Sequence, residues 1–409
     1  MRERTTFYYG WYVTASAFLI TFIGFGSAYT FSAFIVPIQT EFGATRAEIS
    51  LVFAIAGFLY FSLGIISGPL ADRFGARVLC MCGVICIVVG LAGAALARSL
   101  PQLLGSYSLG VGLGVGLSYV PTLGLVQHWF VQRRALATGI AVSGIGFGTL
   151  IMPPIANSLI EHVGWRTAYV VIAGSMSALG ILALTLIRND PKDLSLQPEG
   201  AQTPLAQGEE VHGVPLRSAI QTKAFRLIYA GTFATAFGAF IPFVQLMPYA
   251  TNIGLSLQVA GYMVPAIGLG STLARFTIGG LADRIGRVKV LGIMMAGISF
   301  TLGAWPFCTT FHWLVVFALS FGLFYGGWVA VLPAVMADMF GKRDISGIIG
   351  ALYTSVAFGT ASGPFISGVL FDWTGSYSIT LVATGAASVI GPLALVVAVP
   401  LVPSRQCRH

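Results

Sequence analysis

Charge is the scarcest resource in this sequence. Only 9% of its 409 residues are Asp, Glu, Lys or Arg, against 56% hydrophobic, and the mean hydropathy is +0.85. Soluble domains carry about 25% charged residues. A chain this poor in charge cannot keep a water-facing surface, so lipid has to be its solvent. Cysteine is scarce too. Cys80, Cys82, Cys86, Cys308 and Cys407 are scattered, none forms a C-x-x-C pair, and four lie in or near apolar runs. They read as small packing residues, not as metal ligands or redox centres. None of the five histidines has a second ligand at helical spacing, so no metal site and no cofactor are expected. No Ser/His/Asp grouping and no phosphate-binding loop stands in the chain, which argues against an enzyme.

Long apolar runs are what the sequence has in abundance. A membrane helix needs about 20 predominantly apolar residues. Twelve such stretches occur, at roughly 10–36, 47–70, 77–97, 101–127, 135–158, 165–187, 224–250, 257–281, 288–308, 312–337, 345–370 and 377–401. The first is too long for a signal-peptide core and lacks a small-residue cleavage site, so it is expected to stay as a span. The runs are rich in Gly, Ala and Ser. Pairs such as Gly110–Gly114 and Gly144–Gly148 should let helices approach closely in lipid.

The basic residues fix a topology. The 22 Lys and Arg outnumber the 14 Asp and Glu, for a formal net charge of +8 and a pI near 9.4. In a soluble protein that excess would suggest nucleic acid. With both termini placed in the cytoplasm, however, nearly all the bases fall on inner loops, and the outer loops keep only Arg46, Arg98 and Arg166. This positive-inside pattern accounts for the charge without any nucleic acid. The expected location is the inner (cytoplasmic) membrane. Residues 189–222, with Pro191, Pro198, Pro204, Pro215, Glu209 and Glu210, read as a polar cytoplasmic linker. It divides the chain into halves 1–188 and 223–409.

Those halves repeat one another. Gly68-Pro-Leu-Ala-Asp72-Arg73-Phe-Gly75-Ala-Arg77 follows the second span. Gly279-Gly-Leu-Ala-Asp283-Arg284-Ile-Gly286-Arg287 follows the eighth, 211 residues later. Two parallel halves imply a central cavity between them. In each motif the first glycine lets neighbouring helices touch, the Asp can meet a helix N-terminus, and the later glycine permits a tight turn. Twelve spans, the middle linker and the doubled motif resemble the major facilitator superfamily over nearly the whole chain. The resemblance implies an all-α membrane fold of twelve transmembrane helices in two pseudo-symmetric six-helix bundles. It also gives Asp72, Arg73, Asp283 and Arg284 a gating role, latching the halves, not binding substrate.

The run Trp129-Phe130-Val-Gln132-Arg133-Arg134-Ala-Leu136-Ala137-Thr-Gly139-Ile-Ala141-Val-Ser143-Gly144 resembles the signature of the monocarboxylate transporters. Trp129, Gln132 and Ser143 depart from it, and the first-span signature survives only as Gly10-Trp11. Arg133 and Arg134 join the gating set. The oxalate/formate antiporters are near relatives that share much of the pattern.

One charge lies inside a span. Arg275 is eight residues from Asp283, about 12 Å into the membrane at 1.5 Å per residue. All 14 acids fall in loops or at span ends. Two readings of Arg275 stand on the residues alone. It reaches toward the cytoplasm or a loop acid, or its counter-ion is a substrate carboxylate, which a guanidinium grips bidentately at any working pH. The resemblance favours the second, because the Arg of span eight is that family's anion anchor. Ser271 stands one turn before it, where mammalian members carry an Asp. Val356 stands in span eleven, where the oxalate transporters carry a second basic residue. One positive charge suits a monoanion of lactate, pyruvate, acetate or propionate size. Tyr119, Tyr325 and Tyr353 offer hydroxyls from spans four, ten and eleven, and Tyr29 lies near the family's substrate-sensing Lys. Proton-coupled symport by alternating access follows from the resemblance, with organic anion exchange as the alternative. No carboxylate or His lies mid-membrane to carry a proton.

Overall fold

The computed structural model describes residues 8–130, 134–197, 199, 214–341 and 345–401. Lipid offers backbone groups no hydrogen bonds, so a spanning chain must satisfy them within helices. Twelve helical crossings result. They are α1 (Gly10–Phe42), α2 (Arg46–Ser62, resuming as Gly64–Phe74), α3 (Ala76–Ala95) and α4 (Leu109–Trp129). Next come α5 and α6 (134–163 and 165–186), α7 (Lys223–Ala239 and Ile241–Asn252), α8 (Met263–Ile285) and α9 (Arg287–Ala304). The last are α10 (Phe311–Phe340), α11 (Ile345–Thr374) and α12 (Tyr377–Ser388 and Ile390–Ala398). The fifth and sixth run together and are parted by Gly164, whose φ of 78° no helix contains. Among the described residues the one extended contact is an isolated bridge between Phe130 and Glu199.

The small-residue pairs do what their spacing suggests. A Cβ added to Gly148 would lie 2.8 Å from the Cα of Gly26, and one on Gly114 would lie 2.6 Å from the carbonyl of Gly83. The backbones of α5 and α1, and of α4 and α3, therefore touch without side chains between them. Dispersion at such contacts stands in for a hydrophobic effect that lipid cannot supply.

The repeat reaches into backbone conformation. Among the described residues seven glycines have positive φ, and six of them form pairs: Gly43 with Gly254, Gly75 with Gly286, and Gly164 with Gly375. Each pair is separated by 211 residues, the same separation as Asp72 and Asp283. These are turns that only glycine makes without strain. The helix caps obey the same rule: Thr45 accepts from the amide of Glu48 before α2, and Ser256 accepts from that of Val259 before α8. The architecture is two pseudo-symmetric six-helix bundles, α1–α6 and α7–α12.

One end of the bundle carries Gly75, Gly286 and the segment joining the halves, and is called the linker end. Among the described basic residues only Arg46, Arg98 and Arg166 sit at the far end. There the two bundles are pinned together. The Asp372 carboxylate, at the end of α11, accepts from the backbone amides of Arg46 (3.3 Å) and Ala47 (3.0 Å), the first turn of α2. The Arg46 guanidinium lies 4.3 Å above the Phe371 ring and donates to the Tyr377 hydroxyl. The pseudo-symmetric counterpart is thinner: Gln258, before α8, donates to the Glu161 carboxylate at 3.4 Å.

Candidate functional site

The centre of the molecule holds one cavity walled by both bundles. Phe25 of α1, Phe61 of α2, Tyr119 of α4 and Ile145 of α5 form one side. Phe240, Arg275, Trp328 and Tyr353, from α7, α8, α10 and α11, form the other. On α10 the wall is a helical stripe: Tyr325, Trp328, Val329 and Leu332 recur at the three- and four-residue spacing of one helix face. The space left between the side chains, about 20 Å³ open to the centre of a water molecule, admits a water. A three-carbon acid needs the walls to part.

Among the described residues Arg275 is the only charge on this wall. It is 7% exposed, while its neighbours Leu273 and Phe276 on the outer face of α8 are 53% and 54% exposed. The guanidinium therefore points inward, away from lipid. Nε, Nη1 and Nη2 all lack a hydrogen-bond partner among the described residues. A buried, unpaired charge costs several kcal/mol, and each orphaned donor adds a desolvation penalty of about 1–3 kcal/mol. Such a deficit is relieved when an anion pairs with the guanidinium.

The tyrosines singled out by sequence gather here. Tyr119, Tyr325 and Tyr353 line the cavity with Arg275. Tyr29 lies one turn beyond Phe25 toward the far end. Its hydroxyl meets that of Tyr325 at 3.0 Å, and its ring stacks on Phe243 at 4.4 Å. The Tyr29–Tyr325 bond joins α1 to α10 and roofs the cavity. Ser271 stands apart: it is buried, its hydroxyl has no partner among the described residues, and its backbone lies against Gly326 of α10. Val356 is on the cavity wall.

Of the gating set, Arg73 is exposed with its guanidinium 5.2 Å from the Phe74 ring, and Arg284 is exposed at the end of α8. Arg133 and the side chains of Asp72, Arg134 and Asp283 lie outside the described residues.

Sequence reasoning passed over Trp328, Phe25, Phe61 and Phe240. An aromatic side chain in an apolar helix carries no local mark that separates cavity from packing. Phe240 had a signal nonetheless, since it stands 211 residues from Tyr29.

Comparison with known proteins places this geometry. The family model for the Major Facilitator Superfamily matches residues 17–268 and 227–406. Monocarboxylate transporter 12-B of Danio rerio is 29% identical over 414 residues, covering 95% of this chain and 86% of that one. Monocarboxylate transporter 11 of Mus musculus is 28% identical over 388 residues, covering 90% and 83%. A crystal structure of a bacterial homologue of the human lysosomal transporter Spinster, inward-facing and unoccupied, superposes with a TM-score of 0.77 at 16% identity, over 96% of this chain and 98% of that one. A multi-pass helical membrane protein with a central two-bundle cavity, matched along almost its whole length, this chain belongs to the Major Facilitator Superfamily and resembles its monocarboxylate transporters.

Proposed function

We propose that the protein is a secondary active transporter of small monocarboxylates such as lactate or pyruvate. It works by alternating access in the inner membrane, with both termini in the cytoplasm. The observation that carries this reading is the guanidinium of Arg275, buried at the two-bundle cavity with all three nitrogens unpartnered. A carboxylate supplies two acceptors and the opposite charge in one group. The resemblance to monocarboxylate transporters 11 and 12 supports the same class. One cation without a second base favours a monoanion. The halves 1–188 and 223–409 rock about the cavity, with Asp72, Arg73, Arg133, Arg134, Asp283 and Arg284 acting as gate contacts at the linker end.

Coupling to protons fits net uptake, with the proton moving alongside the anion. Exchange is the second reading, and one observation favours it. Among the described residues no acid or histidine lines the cavity with Arg275, so an empty carrier returns with its charge uncompensated and a loaded one does not. Proteoliposomes containing the intact protein separate the two. Symport predicts lactate uptake that rises with an inward proton gradient at fixed membrane potential. Exchange predicts counterflow much faster than net uptake and little gradient dependence. If neither lactate, pyruvate, acetate nor propionate is transported or competes, the monocarboxylate reading is wrong.

A further inference from the structure

Arg275 is not the only cavity donor left without an acceptor. The Trp328 side chain lines the same cavity, is 1% exposed, and its indole N–H has no hydrogen-bond partner among the described residues. An indole N–H is a donor only. It cannot be silenced by turning into an acceptor, as a hydroxyl can, and a buried Trp usually finds a partner for it.

The two donors are held at nearly the same depth. Helices α8 and α10 run in the same direction with their backbones in contact. A Cβ on Gly322 would lie 2.9 Å from the Cα of Ile267, and one on Gly326 would lie 2.7 Å from the Cα of Ser271. The register is constant over that turn. Carried one turn further, it sets Arg275 level with Ala330. Trp328 is two residues before Ala330, about 3 Å along the axis. Gly322 and Gly326 bring the two backbones into direct contact one and two turns before that level, which fixes their relative placement.

Of the other polar groups on the wall, the Tyr119 and Tyr353 hydroxyls can turn to donate or accept, whereas the indole can only donate. The Tyr325 hydroxyl is engaged by Tyr29. A carboxylate gripped by both edges of a guanidinium has both its oxygens directed at Arg275. The next acceptor a small acid can present is an oxygen on its α-carbon.

We infer that Trp328 reads this α-oxygen, so that the site selects 2-hydroxy and 2-oxo monocarboxylates over plain acids of the same size. The inference rests on the monocarboxylate reading and sharpens its substrate class. The pairing is mixed by design: Arg275 neutralises the head, and the indole rewards one further acceptor. Phe25, Phe61 and Ile145 across the cavity leave the tail only apolar contact.

Binding of L-lactate, pyruvate, propionate and isobutyrate to the intact purified protein tests it. Isobutyrate matches lactate in shape with a methyl in place of the hydroxyl. The wild type should bind lactate and pyruvate about tenfold more tightly than the two plain acids, the worth of one well-placed buried hydrogen bond. Trp328→Phe should erase that ratio, lowering lactate and pyruvate affinity about tenfold relative to propionate and isobutyrate, with Trp328→Met carrying the same comparison if the Phe variant does not fold. Equal binding of all four acids by the wild type overturns the inference. So does a parallel loss of all four on substitution, which would make Trp328 a packing residue. If the wild type binds none of the four, the carboxylate reading of Arg275 falls first, and that result is distinguishable from the others.

Discussion

Removing the Asp372 carboxylate is expected to loosen the far end of the molecule, and to do so more than removing its pseudo-symmetric counterpart Glu161. Asp372 accepts from two backbone amides at the start of α2, an intermolecular-style cap supplied by the opposite bundle. Loss of a helix cap costs about 1 kcal/mol, with a range of about 0.5–2. Arg46 keeps its contact with Phe371 and Tyr377 in such a variant, so the closed end is weakened, not dissolved. About 1.4 kcal/mol is a tenfold change in an equilibrium. At about 1 kcal/mol, a far-end-open population of about 1% would rise to about 5% in Asp372→Ala. Glu161 accepts from a side-chain amide at 3.4 Å on an exposed surface, at the outer limit of useful geometry, so Glu161→Ala should move the population by less than about threefold. Spin labels at Leu96 and Thr374, on the far ends of opposite bundles, report the opening by pulsed dipolar spectroscopy in lipid nanodiscs. A longer-distance component that grows in Asp372→Ala and barely changes in Glu161→Ala is the expected result. An unchanged distribution in Asp372→Ala, or a larger opening in Glu161→Ala, would show that the α2–α11 contact does not hold the bundles together.

Three further substitutions follow from the same geometry. Arg275→Lys keeps the charge but loses the fork, so monocarboxylate affinity should fall about tenfold or more, read as competition against labelled lactate; full affinity in the variant would contradict bidentate binding. Val356→Lys adds a second cation to the cavity wall and should bring measurable dicarboxylate binding at the expense of monocarboxylates; a panel of both acid classes checks it. Gly146→Leu forces a side chain against Thr272, where even a Cβ would lie 3.0 Å from the Thr272 Cβ, and should lower the thermal midpoint through an overpacking cost of about 1–3 kcal/mol, seen in a melting curve of the detergent-solubilised protein.

The features legible in the sequence were those that composition alone can mark. Apolar runs announce spans because the bilayer has a fixed thickness. The doubled Asp-Arg motif gave the 211-residue offset, and the paired turn glycines and caps obey it. Arg275 stood out because a charge amid apolar residues needs no partner to be seen. The far-end contact was illegible: Arg46 and Asp372 are 326 positions apart, each looks like an ordinary loop charge, and only the closing of two bundles joins them. Trp328 was missed for the opposite reason. Its neighbours are as hydrophobic as any in the membrane, and the unsatisfied N–H that sets it apart exists only once α8 and α10 have packed. The breaks in α2 near Leu63, in α7 at Phe240 and in α12 at Val389 are each marked by neighbouring Gly or Pro (Gly64; Gly238 and Pro242; Gly391 and Pro392), but apolar runs this long read as single spans, so the marks were passed over.

The pseudo-symmetry makes the solitary charge more informative than its burial alone. The backbone frame of the two bundles repeats at 211 residues, and at that offset the counterpart of Arg275 is Gly64. The frame could have presented a cation from each bundle, and it presents one. Two unit charges about 7 Å apart repel by about 2 kcal/mol even at an effective dielectric of 20, so an empty site with two would be costly unless a dianion came to fill it. With one, the empty site bears a single deficit that a monoanion cancels. On the proposed monocarboxylate reading, the anion's head belongs to the second bundle, through Arg275, and its tail to the first, through Phe25, Phe61 and Ile145. When the bundles rock, the charged contact can travel intact with α8, while the apolar contacts, which have no directionality, slide and re-form. A strong bond that would have to break on every cycle would slow the carrier. Placing it wholly on one bundle avoids that barrier and leaves the weak, forgiving contacts at the surface that moves.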